Sequence, residues 1–370
     1  MSCCSRAHRP AVRARCARFA LAGLLIMLLA ACATVQTDAL RTSPPADLPA
    51  RTELQTVPYF AQDAHQCGPA SLAMAMQAVG QRVTPEQLEP EVYLPAREGS
   101  LQIEMLAATR RHGLIAYELP PQLNDLLREV AAGNAPVVLQ NLAFNWYPVW
   151  HYAVVIGYDL DRGTIILRSG PEARQELPLT TFEHTWQRGG YWAMLALPPR
   201  RLPRSVEQDR YVAAALALEQ TGEASVARIA YGTALTLWPD NLTARIGAGN
   251  TAYAADDFIA AEQAFRAATR AHPDSSIAFN NLADTLARQK RYTEALTAAE
   301  EAVRLGGAQQ ATFAQTLAQI KAKIKASPAK ATTKDKERAK AKENTNDKQK
   351  KGKENKTKIK SADTQVGARR

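Results

Sequence analysis

Residues 205–326 line up with themselves when shifted by 34 positions. Pro239-Asp240 falls on Pro273-Asp274, Ala227 on Ala261 and then Ala295, Tyr231 on Phe265, and Ala234 on Ala268 and Ala302. Such a period constrains a fold more than composition does. Each period is one supersecondary unit that cannot bury its own apolar face, so successive units must stack. The segment is Ala-rich and reads as helical throughout, with Pro-Asp before each new helix pair. Small residues recur because paired helices must approach closely. Three units start near Arg210, Thr243 and Ile277, and a last helix over about 310–325 is expected to cover the open end. A generic Ala-rich bundle would explain the composition but not the constant offset of Pro-Asp.

The period, with Ala261-x-x-x-Phe265 and Ala278-x-x-Asn281-Leu282-Ala283, resembles tetratricopeptide repeats. The resemblance implies an all-α repeat solenoid over 205–326, three repeats plus a capping helix. Its concave face would take a peptide or protein partner.

The two ends of the chain read differently. Arg6, Arg9, Arg13, Arg15 and Arg18 precede an apolar run over 19–29 that ends in small residues. That is signal-peptide order, and the run is short for a membrane span. An uncleaved anchor helix or a buried helix is the other reading. Leu29-Ala30-Ala31-Cys32 resembles the lipobox of bacterial lipoproteins. The resemblance implies removal of a signal peptide over 1–31 and diacylglycerol on Cys32, which anchors the chain to a membrane. Residue 33 is Ala, not the Asp that holds many lipoproteins in the inner membrane. The expected location is therefore the inner leaflet of the outer membrane, facing the periplasm of a Gram-negative bacterium. Acyl chains at one terminus suffice for attachment, at about 0.8 kcal/mol per buried methylene. Residues 32–51, with Ser43-Pro44-Pro45 and Pro49, read as a tether.

The formal charge of +10 is carried by the ends. From residue 321 onward 18 Lys or Arg stand against 6 Asp or Glu, whereas residues 32–320 hold 23 basic against 30 acidic side chains. The Lys-rich tail over 327–370 has almost no large apolar residues and is expected to be disordered. Weak, salt-sensitive anion binding is its expected behaviour. Without interleaved aromatics it offers no platform for stacked bases, so no specific nucleic-acid partner is expected.

Residues 52–199 mix helical and strand patterns and hold most of the Trp and Tyr. Of five Cys, Cys3, Cys4 and Cys16 fall in the export signal and Cys32 in the lipobox, leaving Cys67 without a disulfide partner. It is an inert core thiol or a nucleophile. Gln66-Cys67-Gly68-Pro69 opens an apolar helical run that stops at Gly80, and Pro69 suits a first helical turn. A sulfur at a helix N-terminus meets free amides and the macrodipole, which predicts a lowered thiol pKa. Gly68 lets backbone or substrate come close. The base for such a thiol is His151, entering the strand pattern Tyr152-Ala153-Val154-Val155-Ile156-Gly157-Tyr158. A turn over 159–163 leads to a second strand over 164–169, and 133–141 reads as another buried strand. His65 sits in a loop two residues from Cys67 and is the poorer base. The six His show no ligand spacing and Cys67 has no Cys-x-x-Cys partner, so neither metal nor cofactor is expected. Trp146, Tyr147 and Trp150 either rim a substrate cleft or pack a loop.

Cys67-Gly68-Pro69-Ala70-Ser71-Leu72, Ala135-Pro136-Val137-Val138 and His151-Tyr152-Ala153-Val154-Val155-x-Gly157-Tyr158 together resemble the bacteriocin-processing cysteine peptidases, which remove leader peptides after a double glycine. The likeness covers about 54–197. It implies an α+β, papain-like cysteine peptidase domain over 52–199 with Cys67 as nucleophile and His151 as general base and acid. It also implies an oxyanion hole made by the Cys67 N–H and a preceding glutamine amide; Gln62 is the candidate and Gln66 the fallback. The family places an Asp on the strand after the histidine strand. Here the hairpin puts Ser169 in that place and no carboxylate. Asp159 and Asp161 lie at the turn, about 25 Å along the strand at ~3.3 Å per residue.

Two functions follow from the sequence. One is a periplasm-facing lipoprotein cysteine peptidase that hydrolyses a peptide bond through a thioester, with repeats recruiting substrate or partner. The other is a membrane-tethered adaptor in which the missing carboxylate reflects weak or lost catalysis. Acyl transfer uses the same Cys-His pair with another acceptor.

Overall fold

The computed structural model describes residues 34–62 and 66–326. The expected signal peptide, the lipid site Cys32, His65 and the Lys-rich tail lie outside these residues. Internal contacts divide the chain into two compact units, before and after the Pro273–Asp274 bond.

The first unit is built on a seven-stranded antiparallel sheet. Its strands are β1 (Arg51–Glu53), β4 (Ile115–Glu118), β5 (Val137–Asn141), β6 (Trp150–Asp159), β7 (Thr164–Ser169), β8 (Glu172–Pro178) and β9 (Ala193–Leu197). They run in the order β4-β9-β5-β6-β7-β8, with β1 paired to the far end of β6. The short strands β2 (Tyr93–Leu94) and β3 (Gly99–Ser100) form a separate pair. β6 is the hub. It pairs with β5 through Gln140 opposite His151, and with β7 through Val154 opposite Arg168.

Both faces of the sheet are buried, so β6 is apolar along most of its length. Ala153 and Val155 join one core while Tyr152, Val154 and Ile156 join the other, as a two-residue side-chain period requires. A bulge between Val155 and Gly157 then reverses the alternation, and Tyr158 returns to the Ala153 side. Gly157 is needed there because a Cβ would press on Glu53 of the neighbouring strand.

Helix α2 (Cys67–Gln77) packs on the Tyr152 side, buried from Gly68 to Met76, with α3 (Pro85–Val92) and α4 (Gln102–Arg111) around it. Helices α5 (Leu123–Ala131) and α6 (Leu179–Arg188) supply the other layer through Leu126, Leu127, Phe182 and Trp186.

Part of the expected tether is folded. Residues 35–42 form helix α1 (Val35–Thr42), docked on α5 and α6. Buried Glu183 accepts the backbone N–H groups of Gln36 at 2.9 Å and Thr37 at 2.6 Å, and Leu40 enters the core. A carboxylate at a helix N-terminus satisfies donors that have no partner within the helix. The proline-rich stretch after Thr42 returns the chain to the sheet at β1.

The sheet core continues past residue 205 rather than ending there. Helices α7 (Gln208–Gln220), α8 (Ala224–Leu237), α9 (Leu242–Ala254) and α10 (Phe258–Ala271) complete the first unit. Tyr211, Ala215, Leu218 and Tyr231 lie in the same apolar cluster as Tyr117 and Leu195. Buried Glu129 accepts both the N–H and the hydroxyl of Ser205 at 2.6 Å, which fixes the connection. The second unit consists, among the described residues, of α11 (Ser276–Arg288), α12 (Tyr292–Leu305) and α13 (Gln310–Ala326). Helices begin at residues 208, 242 and 276 and their partners at 224, 258 and 292, so the 34-residue period of the sequence is kept at every helix start. Asn241, Asp257 and Ser275 cap three of these helices by accepting the N–H of Ala244, Ala260 and Ala278.

Candidate active site

Cys67 is the first residue of α2 and a free thiol. Gly68 follows because β3 crosses the helix start: a Cβ on Gly68 would stand 2.6 Å from the Ser100 Cβ. The helix lies against β6, and the backbone N–H of Tyr152 is directed at the Cys67 sulfur. The thiol is thereby set against the residue next to His151. The Tyr152 ring stacks edge-on to Trp192, with centroids 5.8 Å apart, and its hydroxyl reaches the Ser100 carbonyl.

His151 stands at the start of β6 with Nε2 2.9 Å from Ser169 Oγ. Ser169 is buried at the end of β7. It is held by a turn at Gly170, whose φ of 57° suits glycine. That turn is tied to the segment ahead of the cysteine. Gly170 N–H donates to Gln62 Oε1 at 2.9 Å, and its carbonyl accepts from the Gln62 N–H and the Tyr59 hydroxyl, both at 3.1 Å. Gln62 Nε2 donates to Ser71 Oγ, one turn into α2, at 3.0 Å. One buried amide thus links the thiol helix to the turn that carries Ser169. Nothing in the sequence marks this linkage, since Ser71 and Gly170 stand out only by residue type. Gln66, the fallback, precedes α2 and accepts the Ala70 N–H through its carbonyl.

The electrostatics depart from the expectation drawn from the helix N-terminus. Burial pushes the Cys67 thiol up, and it outweighs the amides of Tyr152, Gly68 and Cys67 that favour the anion. Burial also holds His151 below the ordinary histidine range. Both shifts favour the neutral form, thiol at Cys67 and imidazole at His151. The helix dipole is present, but desolvation is the larger effect at this site.

The aromatic stretch before His151 is exposed rather than buried. Phe144, Trp146 and Tyr147 are 62%, 81% and 67% exposed on the hairpin between β5 and β6. No group of three or more His, Cys, Asp or Glu side chains that could hold a metal occurs among the described residues. No helix among them is long and apolar enough to cross a membrane.

Residues 54–194 match the Peptidase_C39 like family, and residues 246–309 match the tetratricopeptide repeat. The chain therefore joins a C39-like α+β domain to a run of repeat helices. No curated protein matches it. Among solved structures, a putative C39-like peptidase from Bacillus anthracis is 20% identical with a TM-score of 0.33, over 40% of this chain and 96% of that one. YrrB, a tetratricopeptide-repeat protein with an unusual peptide-binding site, is 24% identical with a TM-score of 0.29; the match covers 31% of this chain and 58% of YrrB. The Sgt2 repeat domain from Aspergillus fumigatus is 23% identical with a TM-score of 0.31, over 33% and 85% of the two chains.

Proposed function

We propose that the chain is a cysteine peptidase in which Cys67 attacks a peptide carbonyl with His151 as base. The observation that carries this reading is the seating of a lone thiol at a helix start against Tyr152, while the adjacent imidazole is held by Ser169. With Nε2–H donated to Ser169 Oγ, Nδ1 keeps its lone pair for the thiol. The neutral pair then reacts by general base catalysis. Nδ1 takes the thiol proton as sulfur bonds to the carbonyl carbon, giving a tetrahedral oxyanion. The Cys67 N–H is one donor to that oxyanion; the second Nε2 hydrogen of Gln62 is the candidate for the other. The imidazolium returns its proton to the amine as the C–N bond breaks, leaving a thioester. Water, deprotonated by the same nitrogen, cleaves the thioester and restores the thiol. An amine in place of water would make the same site an acyl transferase.

The repeats are proposed to recruit a peptide or protein partner. Lipid on Cys32 would hold the chain on the inner leaflet of the outer membrane, facing the periplasm. Weak anion binding belongs to the tail.

A second reading has its own support. The histidine partner is a hydroxyl, which stabilises an imidazolium less than a carboxylate does, and the thiol is not acidified. Both fit a weakly active or inactive adaptor. A substrate-like peptidyl epoxide separates the two readings. The peptidase reading expects covalent labelling of Cys67 at pH 7 that disappears in His151→Ala. Labelling equal in wild type and His151→Ala, or none in either, favours the adaptor.

A further inference from the structure

The nine residues from Leu142 to Trp150 contain no charged side chain. Besides Phe144, Trp146 and Tyr147, large side chains at Leu142, Val149 and Trp150 are exposed on this one hairpin. The Phe144 and Trp146 rings stack at 5.6 Å and 10°. The tip is built rather than loose. Buried Asn141 accepts the N–H groups of Ala143 and Val149 at 3.1 and 3.0 Å and donates to the Phe144 carbonyl. Leu142 N–H reaches the Val149 carbonyl at 2.9 Å, and Arg188 Nε holds the Asn141 carbonyl from α6. An ordered, protruding, charge-free aromatic cluster has no soluble-core explanation.

What covers it is indicated by where the described chain starts. Helix α1 lies along α6. Arg41 borders Gly163, whose carbonyl accepts the N–H of Leu179 at the start of α6, while Gln36 and Thr37 sit on Glu183 further along. The path therefore leads from the Leu179 end of α6 toward its Arg188 end as α1 is followed back to Thr34. Arg188 is the residue that grips the base of the aromatic hairpin. The described chain thus starts on the side of α6 that runs toward Arg188, and Arg188 bonds the base of the aromatic hairpin. Cys32 is two residues before Thr34, at most about 7 Å of extended chain. Exposed Val35 adds to the apolar surface on that side.

We infer that the hairpin 142–150 enters the interface of a lipid bilayer, so that the first unit rests on the membrane through this tip and its N-terminal attachment. Trp and Tyr favour the headgroup region, where an apolar ring and a polar edge are both satisfied. A peptide would be recognised by a concave pocket; this cluster projects outward. Because Trp150 precedes His151, the docked tip brings the candidate catalytic pair to the membrane surface. Substrates near the bilayer would then be favoured over those in bulk solution. The geometry at this end rests in part on the lipid-anchor reading of Cys32, and the test separates the two.

The full chain is mixed with phosphatidylethanolamine–phosphatidylglycerol vesicles whose acyl chains are plain or brominated. Tryptophan emission is read at millimolar lipid, and flotation of the same samples reads attachment. The proposal expects bromine quenching in the wild type, reduced in Trp146→Phe, which removes the more exposed of the two tip tryptophans but keeps the apolar tip. In Phe144→Asn/Tyr147→Asn, which keeps Trp146, quenching should fall at least several-fold. A chain that floats without bromine quenching keeps the anchor and overturns the tip. Quenching in a chain that does not float keeps the tip and removes the anchor. Absence of both overturns the proposal. So does a tip variant that slows cleavage of a soluble peptide when the wild type shows no quenching, because the loop is then a substrate rim.

Discussion

The Nε2 atom of His151 lies 2.9 Å from Ser169 Oγ, so the group orienting the imidazole is a hydroxyl. A neutral hydrogen bond of this kind contributes about 1 kcal/mol net, and each 1.36 kcal/mol is about tenfold in rate. Ser169→Ala is expected to lower kcat/KM about tenfold or less. Ser169→Asp supplies a carboxylate, which stabilises the imidazolium and raises the His151 pKa. The base works when neutral, and burial keeps His151 neutral to below its ordinary pKa of 6.5, so the wild-type acid limb lies below pH 6.5. In Ser169→Asp that limb should move toward higher pH. An acid limb at the same pH in both proteins would show that Ser169 does not govern the imidazole.

Gln62 carries a structural load that can be measured apart from chemistry. Its side chain serves Ser71 at 3.0 Å and Gly170 at 2.9 Å, and it is buried. Gln62→Leu leaves a hydroxyl and an amide N–H without their partner, at about 1–3 kcal/mol each. Denaturant unfolding should show a loss of roughly 2–6 kcal/mol on that basis. The Gly170 amide should also exchange with solvent faster. A loss within about 0.5 kcal/mol, the range of an ordinary surface substitution, would mean that the linkage is not stabilising.

These relationships were unequally legible in the sequence. The repeats could be read because their helices restart every 34 residues, and helix pairs that pack the same way need the same residues at the same offsets. The nearness of Ser169 to His151 could be counted around the turn after Asp159, since strand rise is nearly constant. The sign of the Cys67 shift could not, because it depends on burial by segments remote in sequence. Helix α1 was hidden for a similar reason: it is eight residues long, and the carboxylate that receives its first amides is 146 residues away. Residues 172–188 gave no clear signal because most of β8 is exposed and shows no alternation. Read from sequence, residues 52–199 and 205–326 are separate domains. Tyr117 and Tyr211 nevertheless share one core across that division, with ring centroids 6.5 Å apart.

Glu183 is the residue on which the placement of α1 depends. It is buried and receives two backbone N–H groups, and hydrogen bonds to a charged group contribute about 1.5–3 kcal/mol each. Helix α1 buries only Thr37 and Leu40, and besides Glu183 the Gln36 side chain ties it to the start of α5, accepting the Leu123 N–H at 2.5 Å and donating to the Pro121 carbonyl at 3.1 Å. Glu183→Ala is expected to release residues 35–42 while leaving the sheet folded. Hydrogen exchange should show lost protection at Gln36 and Thr37, with tryptic cleavage appearing at Arg41. Protection unchanged in α1 would show that Leu40 and the Gln36 side chain keep the helix docked without Glu183.

Two glycines in the repeat helices are expected to answer alanine with opposite signs. Gly232 sits on the exposed face of α8 with nothing within 4 Å of the added methyl. Replacing glycine by alanine within a helix gains up to about 1 kcal/mol, so Gly232→Ala should stabilise. Gly247 in α9 faces the ring of Tyr231, and the added Cβ would fall 2.7 Å from Tyr231 Cε1 and closer still to its neighbours. The ring has no room to retreat, since it is fully buried and its hydroxyl is bound to Glu219 at 2.7 Å. Overpacking of this kind costs about 1–3 kcal/mol, more than the helical gain. Gly247→Ala should therefore lower the unfolding midpoint while Gly232→Ala raises it. If both raise it, the contact between α8 and α9 is looser than the Tyr231–Gly247 seat requires.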